Sequence, residues 1–175
     1  LEKAVEAEAE AASRGNPGLI TVLVDSFGEL ERLKNSAAKH KTIITAGVWI
    51  LPPHGREKFG IQLTELKKFF DEADSYKYIT LEGIQFHTSW NMNSIRQSQA
   101  LRAVALELKT WTESELARIR FIDIGGGYWP EEGEWLKGPD EQTGNLAGRV
   151  WNRSVPITQF AADLSDVIKT EIFPL

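Results

Sequence analysis

The chain has 175 residues, no cysteine, and 25 acidic against 20 basic side chains, a formal net charge of -5. That length suits one domain with a real core. The missing cysteines exclude a disulfide framework, and the mild acidic excess, with Lys and Arg dispersed along the chain, leaves no basic stripe for nucleic acid.

In chain order, residues 1–13, "LEKAVEAEAEAAS", are rich in Ala and Glu and predict a helix that "GNPG" then breaks. "LITVLVDS" (19–26) is a β-branched run of strand length, with Ser26 placed to cap a helix. The next segment, "FGELERLKNSAAKHK", spaces Leu30, Leu33 and Ala37 as a helix does, and "TIITAGVWIL" (42–51) reads as a buried strand. After "PPHG", residues 64–76 predict a helix, 78–89 a strand, 93–111 a long helix and 118–125 another strand. The stretch 128–156, rich in Gly, Trp, Glu and Pro without a period, reads as a long functional loop, and residues 157–173 close with a helix. No apolar run approaches the roughly 20 residues of a membrane span, and the start carries no signal pattern, so a cytoplasmic protein without a membrane partner is expected. Both ends, Leu1 and "EIFPL", look cut.

Helices alternating with nearly continuous apolar strands is the pattern of parallel βα units covered on both strand faces, so the fold class is α/β. About four such units fit half of an eight-stranded barrel or most of a small doubly wound sheet, and in either architecture ligands sit beyond the carboxyl ends of the strands. Those ends carry the polar chemistry: Asp25 and Ser26; His87, Thr88 and Ser89; and Gly125, Gly126 and Gly127. Bare backbone over three glycines lets amide N–H groups turn towards an anion, and it equally suits a tight turn. The spacing is not that of the GxGxxG dinucleotide fingerprint. His87 can be a hydrogen-bonded core histidine, or an imidazole that stacks on a ligand or handles a proton. Asp123 can face a barrel interior or tie down neighbouring backbone. His40 and His54 make no metal spacing with His87, so no metal is expected.

"VDSFGELERL", "EKFGI", "LEGIQFHTSW" and "FIDIGGGYWP", in this order and spacing, resemble the barrel domain of the fold-type III pyridoxal-phosphate decarboxylases. That family includes the diaminopimelate, ornithine, arginine and carboxynorspermidine decarboxylases, and its barrel is similar to that of alanine racemase. The resemblance implies a partial (β/α)8 TIM barrel, about strands 4 to 7 of eight, forming a single incomplete domain over 1–175. It implies pyridoxal 5'-phosphate as cofactor, an amino-acid substrate and a homodimer. Position by position, His87 matches the histidine that stacks on the pyridine ring, and Gly125, Gly126 and Gly127 match the glycines whose amides hold the phosphate. Lys58, Phe59 and Gly60 match the family's "KFG", and Asp25 with Ser26 a "DS" step that supports the barrel.

Two departures stand out. The family has "HxGS" where this chain reads "HTSW", so Trp90 occupies the place of a phosphate-binding serine and Ser89 or Thr88 is expected to substitute. The strand "TAGVWIL" lacks an arginine common in the family. The resemblance also puts the cofactor-anchoring lysine, the glutamate that pairs the pyridine nitrogen and a catalytic cysteine outside these residues, so the isolated stretch is expected to be inactive and poorly soluble. The implied activity is carbon–carbon lyase chemistry on a basic or dicarboxylic amino acid or a polyamine precursor. An amino-acid racemase of the same barrel type, a non-catalytic paralogue, and a phosphate-binding barrel enzyme using His87 as acid or base are the alternatives.

Overall fold

The computed structural model describes residues 1–52, 59–88, 92–128, 134–137, 149–152 and 154–175. Helix α1 (Glu2–Ser13) precedes strand β1 (Thr21–Val24), and α2 (Phe27–His40) leads to β2 (Ile44–Trp49). A 3-10 turn at Leu63–Glu65 runs into α3 (Leu66–Asp74), followed by β3 (Ile79–Gln85), α4 (Ile95–Leu108), the short α5 (Glu113–Leu116) and β4 (Phe121–Asp123). Strands β5 (Glu134–Lys137) and β6 (Arg149–Asn152) form a ribbon, and α6 (Ile157–Val167) ends in a π turn at Ile168–Ile172. Strands β1 to β4 pair in sequence order, all parallel, which is the arrangement expected of consecutive βα units.

Local chemistry explains the helix boundaries. The Ser26 hydroxyl accepts the Glu29 N–H at 3.2 Å, and the Glu29 carboxylate reaches back to the Asp25 N–H at 3.1 Å, so the "DS" step starts α2 by satisfying two amides reciprocally. Helix α2 stops where Lys41 turns left-handed, at φ 53°. In α5, Thr112 and Glu115 make a capping box, visible as "TESE" once its place at a helix start is known. Between α4 and α6, the Ser94 hydroxyl donates to Asp163 at 2.7 Å; that bond and one from Gln159 hold the Asp163 carboxyl below its ordinary range.

The core lies between the sheet and α2, α3 and α4. Leu30, Leu33, Ile44, Ile50, Leu66, Phe69, Phe70, Ile84, Phe86 and Leu101 are all under 2% exposed, each contributing ~1.5–3 kcal/mol by burial. Strand β3 does not keep one alternation along its length. Ala46 pairs with Leu81 but Gly47 with Gly83, so β3 carries one extra residue, Glu82, whose carbonyl accepts the Arg120 N–H at 2.7 Å. The buried apolar positions accordingly run Ile79, Leu81, then Ile84, Phe86.

On the other face of the sheet, residues in register form tiers. Leu23, Gly47, Gly83 and Phe121 make one, and Trp49, Gln85 and Asp123 the next towards the strands' carboxyl ends. The Phe121 ring lies across the two glycines: a Cβ on Gly83 would sit 1.8 Å from its Cζ, and one on Gly47 would sit 3.0 Å from the same atom.

The expected loop over 128–156 needs correction. It contains β5 and β6, paired antiparallel with Trp135 opposite Trp151 and Leu136 opposite Val150. The expected strands are also shorter than read, 118–125 contracting to three residues of β4. Among the described residues no helix is long and apolar enough to cross a membrane.

Candidate cofactor site at the strand ends

The sheet delivers its polar residues to one edge. His87 follows β3 and the three glycines follow β4, and β3 and β4 are neighbours. They meet closely: a Cβ on Gly125 would stand 2.7 Å from His87 Cδ2, 3.0 Å from the Phe86 carbonyl oxygen and 3.1 Å from His87 Cα. Gly125 has φ 69° and Gly127 φ 81°, left-handed conformations that disfavour any side chain. Gly126 differs: its φ is ordinary, and a Cβ there would meet nothing within 4 Å. The loop thus packs against β3 at Gly125, whereas a side chain at Gly126 would enter open space.

His87 is half-buried, and its ring has no hydrogen-bond partner among the described residues. None of the described core groups therefore fixes this histidine. Phe86 and Thr88 on either side are buried, so the alternation of the strand end turns His87 away from the helical layer.

Asp123 does what a structural carboxylate does. Its Oδ1 accepts the Gly125 N–H at 2.8 Å and its Oδ2 accepts Gln85 Nε2 at 3.3 Å. Gln97, on α4 and fully buried, uses its amide group as a donor to the Ile124 carbonyl at 3.1 Å and, at 3.5 Å, to the Tyr128 hydroxyl. Tyr128 in turn donates to the Gly125 carbonyl at 3.3 Å and packs edge-on against Phe160, with centroids 4.9 Å apart. Sequence reasoning missed Gln97 and Tyr128. A polar residue within "IRQSQALRA" is unremarkable until its burial is seen.

Beside His87 and the glycines, Trp49 Nε1 and Gln85 Oε1, members of one tier on adjacent strands, are buried without partners among the described residues. Phe59 and Gly60 return to the end of β2, where Ile61 bridges Ile50 and where a Cβ on Gly60, whose φ is 111°, would stand 3.0 Å from the Ile50 carbonyl carbon. That puts the "FG" of the "KFG" motif near the same edge. Lys58, Ser89, Trp90 and His54 lie outside the described residues, as do Trp129, Glu131 and Glu132. His40 belongs elsewhere: with Glu2 and Glu6 it offers ligand atoms within 4.8 Å of one another between α1 and α2, where Glu2 is already ion-paired to Lys39. A cavity of about 550 Å³ opens on that side too, but its charged lining residues pair with each other, Lys39 with Glu2 and Arg32 with Glu29 at 3.6 Å.

A planar phosphorylated ring fits this edge on two observations. An imidazole without a partner among the described residues stands beside a strand end, and next to it a glycine backbone is cleared of side chains, as close approach of an anionic group requires.

Comparison with known proteins agrees. Among solved structures, diaminopimelate decarboxylase from Helicobacter pylori complexed with L-lysine is 19% identical, at TM-score 0.65, over 94% of this chain and 40% of that one. Lysine/ornithine decarboxylase from Vibrio vulnificus complexed with putrescine is 20% identical, at TM-score 0.63, over 94% and 38%. Lysine decarboxylase from Selenomonas ruminantium is 17% identical, at TM-score 0.66, over 97% and 39%. The chain therefore spans about two fifths of the length of these structures, and the shared fold is their barrel. A search by sequence among curated proteins finds no match. The profile of the family described as "pyridoxal-dependent decarboxylase, pyridoxal binding domain" matches residues 6–139, and to that family this chain belongs.

Proposed function

We propose that the chain forms the central part of the barrel of a pyridoxal-phosphate-dependent amino-acid decarboxylase, a carbon–carbon lyase acting on a basic or dicarboxylic amino acid or a related polyamine precursor. The observation that carries this reading is the juxtaposition of the His87 ring with the bare glycine loop at neighbouring strand ends. The family match over residues 6–139 supports it. Bound pyridoxal phosphate supplies an electron sink for the pair left behind when carbon dioxide departs.

The residues of this chain bind and orient. His87 offers the face of its imidazole to the pyridine ring, held in place because both its neighbours are anchored in the core. Gly125, Gly126 and Gly127 form the phosphate turn. The N–H of Gly125 is already donated to Asp123, so that residue closes the turn. The family resemblance assigns a phosphate hydroxyl to Ser89 or Thr88 and matches Lys58 to the family's lysine near the subunit interface and active site. The reading carries with it a homodimer and a cytoplasmic location, consistent with a chain that has no cysteine to oxidise.

The test is carbon dioxide release from lysine, ornithine, arginine and diaminopimelate by the full-length protein, alongside absorbance titration with pyridoxal phosphate. Release from one of these substrates, reduced at least tenfold in His87→Ala, is expected. Cofactor binding with substrate racemisation and no carbon dioxide would replace the lyase with a racemase. No cofactor binding at all would leave a non-catalytic barrel.

A further inference from the structure

We propose that Gln97 and Asp123 are positioning residues that together clamp the peptide unit joining Ile124 to Gly125, and through it set how strongly the glycine loop grips a phosphate. The proposal rests on the reading of that loop as the phosphate site.

The geometry is that of a vice. A trans peptide unit is planar, with its C=O and N–H pointing in opposite directions. Here the C=O of Ile124 accepts Gln97 Nε2 from the helical side at 3.1 Å, while the N–H of Gly125 donates to Asp123 Oδ1 at 2.8 Å on the barrel side. Both ends of one rigid plate are held, by side chains from two different elements. In the following plate the Gly125 carbonyl accepts the Tyr128 hydroxyl at 3.3 Å. Because that carbonyl points to Tyr128, the N–H of Gly126 in the same plane must point the opposite way.

Gln97 has no alternative orientation that works. Its amide nitrogen faces two acceptors, the Ile124 carbonyl and the Tyr128 oxygen, and flipping the amide would turn Oε1 onto a carbonyl oxygen. Its Oε1 is buried with no partner among the described residues, so the donors are what keep a fully buried glutamine at this place on α4. Glycine is the residue most free to change φ and ψ, and three in a row would otherwise sample many amide directions. Fixing the first peptide removes that freedom before the ligand arrives, and pre-organised donors bind an anion more tightly than mobile ones.

The experiment compares dissociation constants for pyridoxal phosphate and unphosphorylated pyridoxal in the full-length protein, because their ratio isolates the grip on phosphate. Gln97→Met keeps an unbranched chain without donors. Asp123→Leu removes the acceptor, and Asp123→Asn retains an oxygen for the Gly125 N–H. Gln97→Met and Asp123→Leu are expected to lower the preference for the phosphorylated ligand about tenfold, to shift the phosphorus NMR resonance of the bound ligand, and to leave pyridoxal affinity unchanged. Asp123→Asn is expected to restore most of the preference. Wild-type preference in both Gln97→Met and Asp123→Leu would overturn the clamp, and so would equal weakening of both ligands, which marks a purely structural role. If Gln97→Met does not fold, the Leu and Asn variants of Asp123 decide alone. A wild-type protein that shows no preference would instead overturn the phosphate-site reading itself.

Discussion

Alanine at Gly125 and alanine at Gly126 should have opposite consequences, although the residues are adjacent and chemically identical. At Gly125 the backbone is left-handed, φ 69°, which costs an L-residue roughly 1–2 kcal/mol. The new methyl group would also lie 3.0 Å from the Phe86 carbonyl oxygen and 3.1 Å from His87 Cα, backbone atoms that cannot rotate away. Overpacking of that kind typically costs about 1–3 kcal/mol, so Gly125→Ala is expected to lose about 2–4 kcal/mol in urea unfolding and to displace His87. At Gly126 the φ is ordinary and nothing lies within 4 Å. Alanine there should leave stability unchanged or raise it by ~0.4–1 kcal/mol, since the unfolded chain loses freedom. On the proposed phosphate reading the same methyl would stand where the anion approaches, so affinity for pyridoxal phosphate should fall at least tenfold while the protein remains as stable as the parent. The assay is a urea midpoint at constant slope for each variant, paired with a cofactor titration. A Gly125→Ala protein with a wild-type midpoint, or a Gly126→Ala protein that binds cofactor normally, would refute the assignment of packing to one glycine and ligand approach to the other.

The packing leads to three further expectations. Gly83→Ala puts a methyl 1.8 Å from Phe121 Cζ, with Leu23 Cδ2 already filling the space beside Gly47, so the ring must change rotamer; a loss of about 1–3 kcal/mol is expected, partly recovered in a Phe121→Leu background by double-mutant cycle. Glu8, 1% exposed, accepts the N–H groups of Gly18, Leu19 and Ile20, the latter two at 3.1 and 3.0 Å, and Glu8→Gln replaces one acceptor oxygen with a donor facing amides; thermal unfolding should show a loss of about 1–3 kcal/mol. The Glu115 carboxyl is held down to about 2, against an ordinary 4.5, first by Lys67 and then by Thr112. A depressed folded-state value means stabilisation present above about 4.5 and lost as pH falls through about 2, so melting temperatures of the parent and Glu115→Gln should converge over that window and differ above it.

The strand and helix order was legible because each βα unit advertises itself in apolar spacing, as in "LITVLVDS" against Leu30, Leu33 and Ala37. The two ends of the site were legible for a similar reason: three glycines after a strand and a histidine in an apolar run are local anomalies. What the residues could not display were the distant partners. Gln97 lies 27 residues from the carbonyl it holds, and Glu8 sits in a run of Ala and Glu that reads as a solvated helix until three backbone amides are found on it. The β5–β6 ribbon escaped because its strands are four residues each, and the intervening Gly-rich segment masks their pairing.

The extra residue in β3 acts as a phase shifter. Side chains along a regular strand alternate strictly, so the odd-numbered positions that point Ile79 and Leu81 into the helical layer would, if Glu82 were not bulged out, send Gly83, Gln85 and His87 the same way. One insertion reverses the phase for the upper half of the strand alone. The lower half keeps its greasy anchors while the upper half presents Gly83 to the Phe121 ring and His87 to the glycine loop. Deleting Glu82 would therefore leave Gly83 opposite Gly47 and His87 towards the glycine loop, whereas straightening the bulge with Glu82 retained would exchange the inside of the barrel for its outside at every position from 83 to 88, driving Ile84 and Phe86 into the candidate site and burying His87 among the helices.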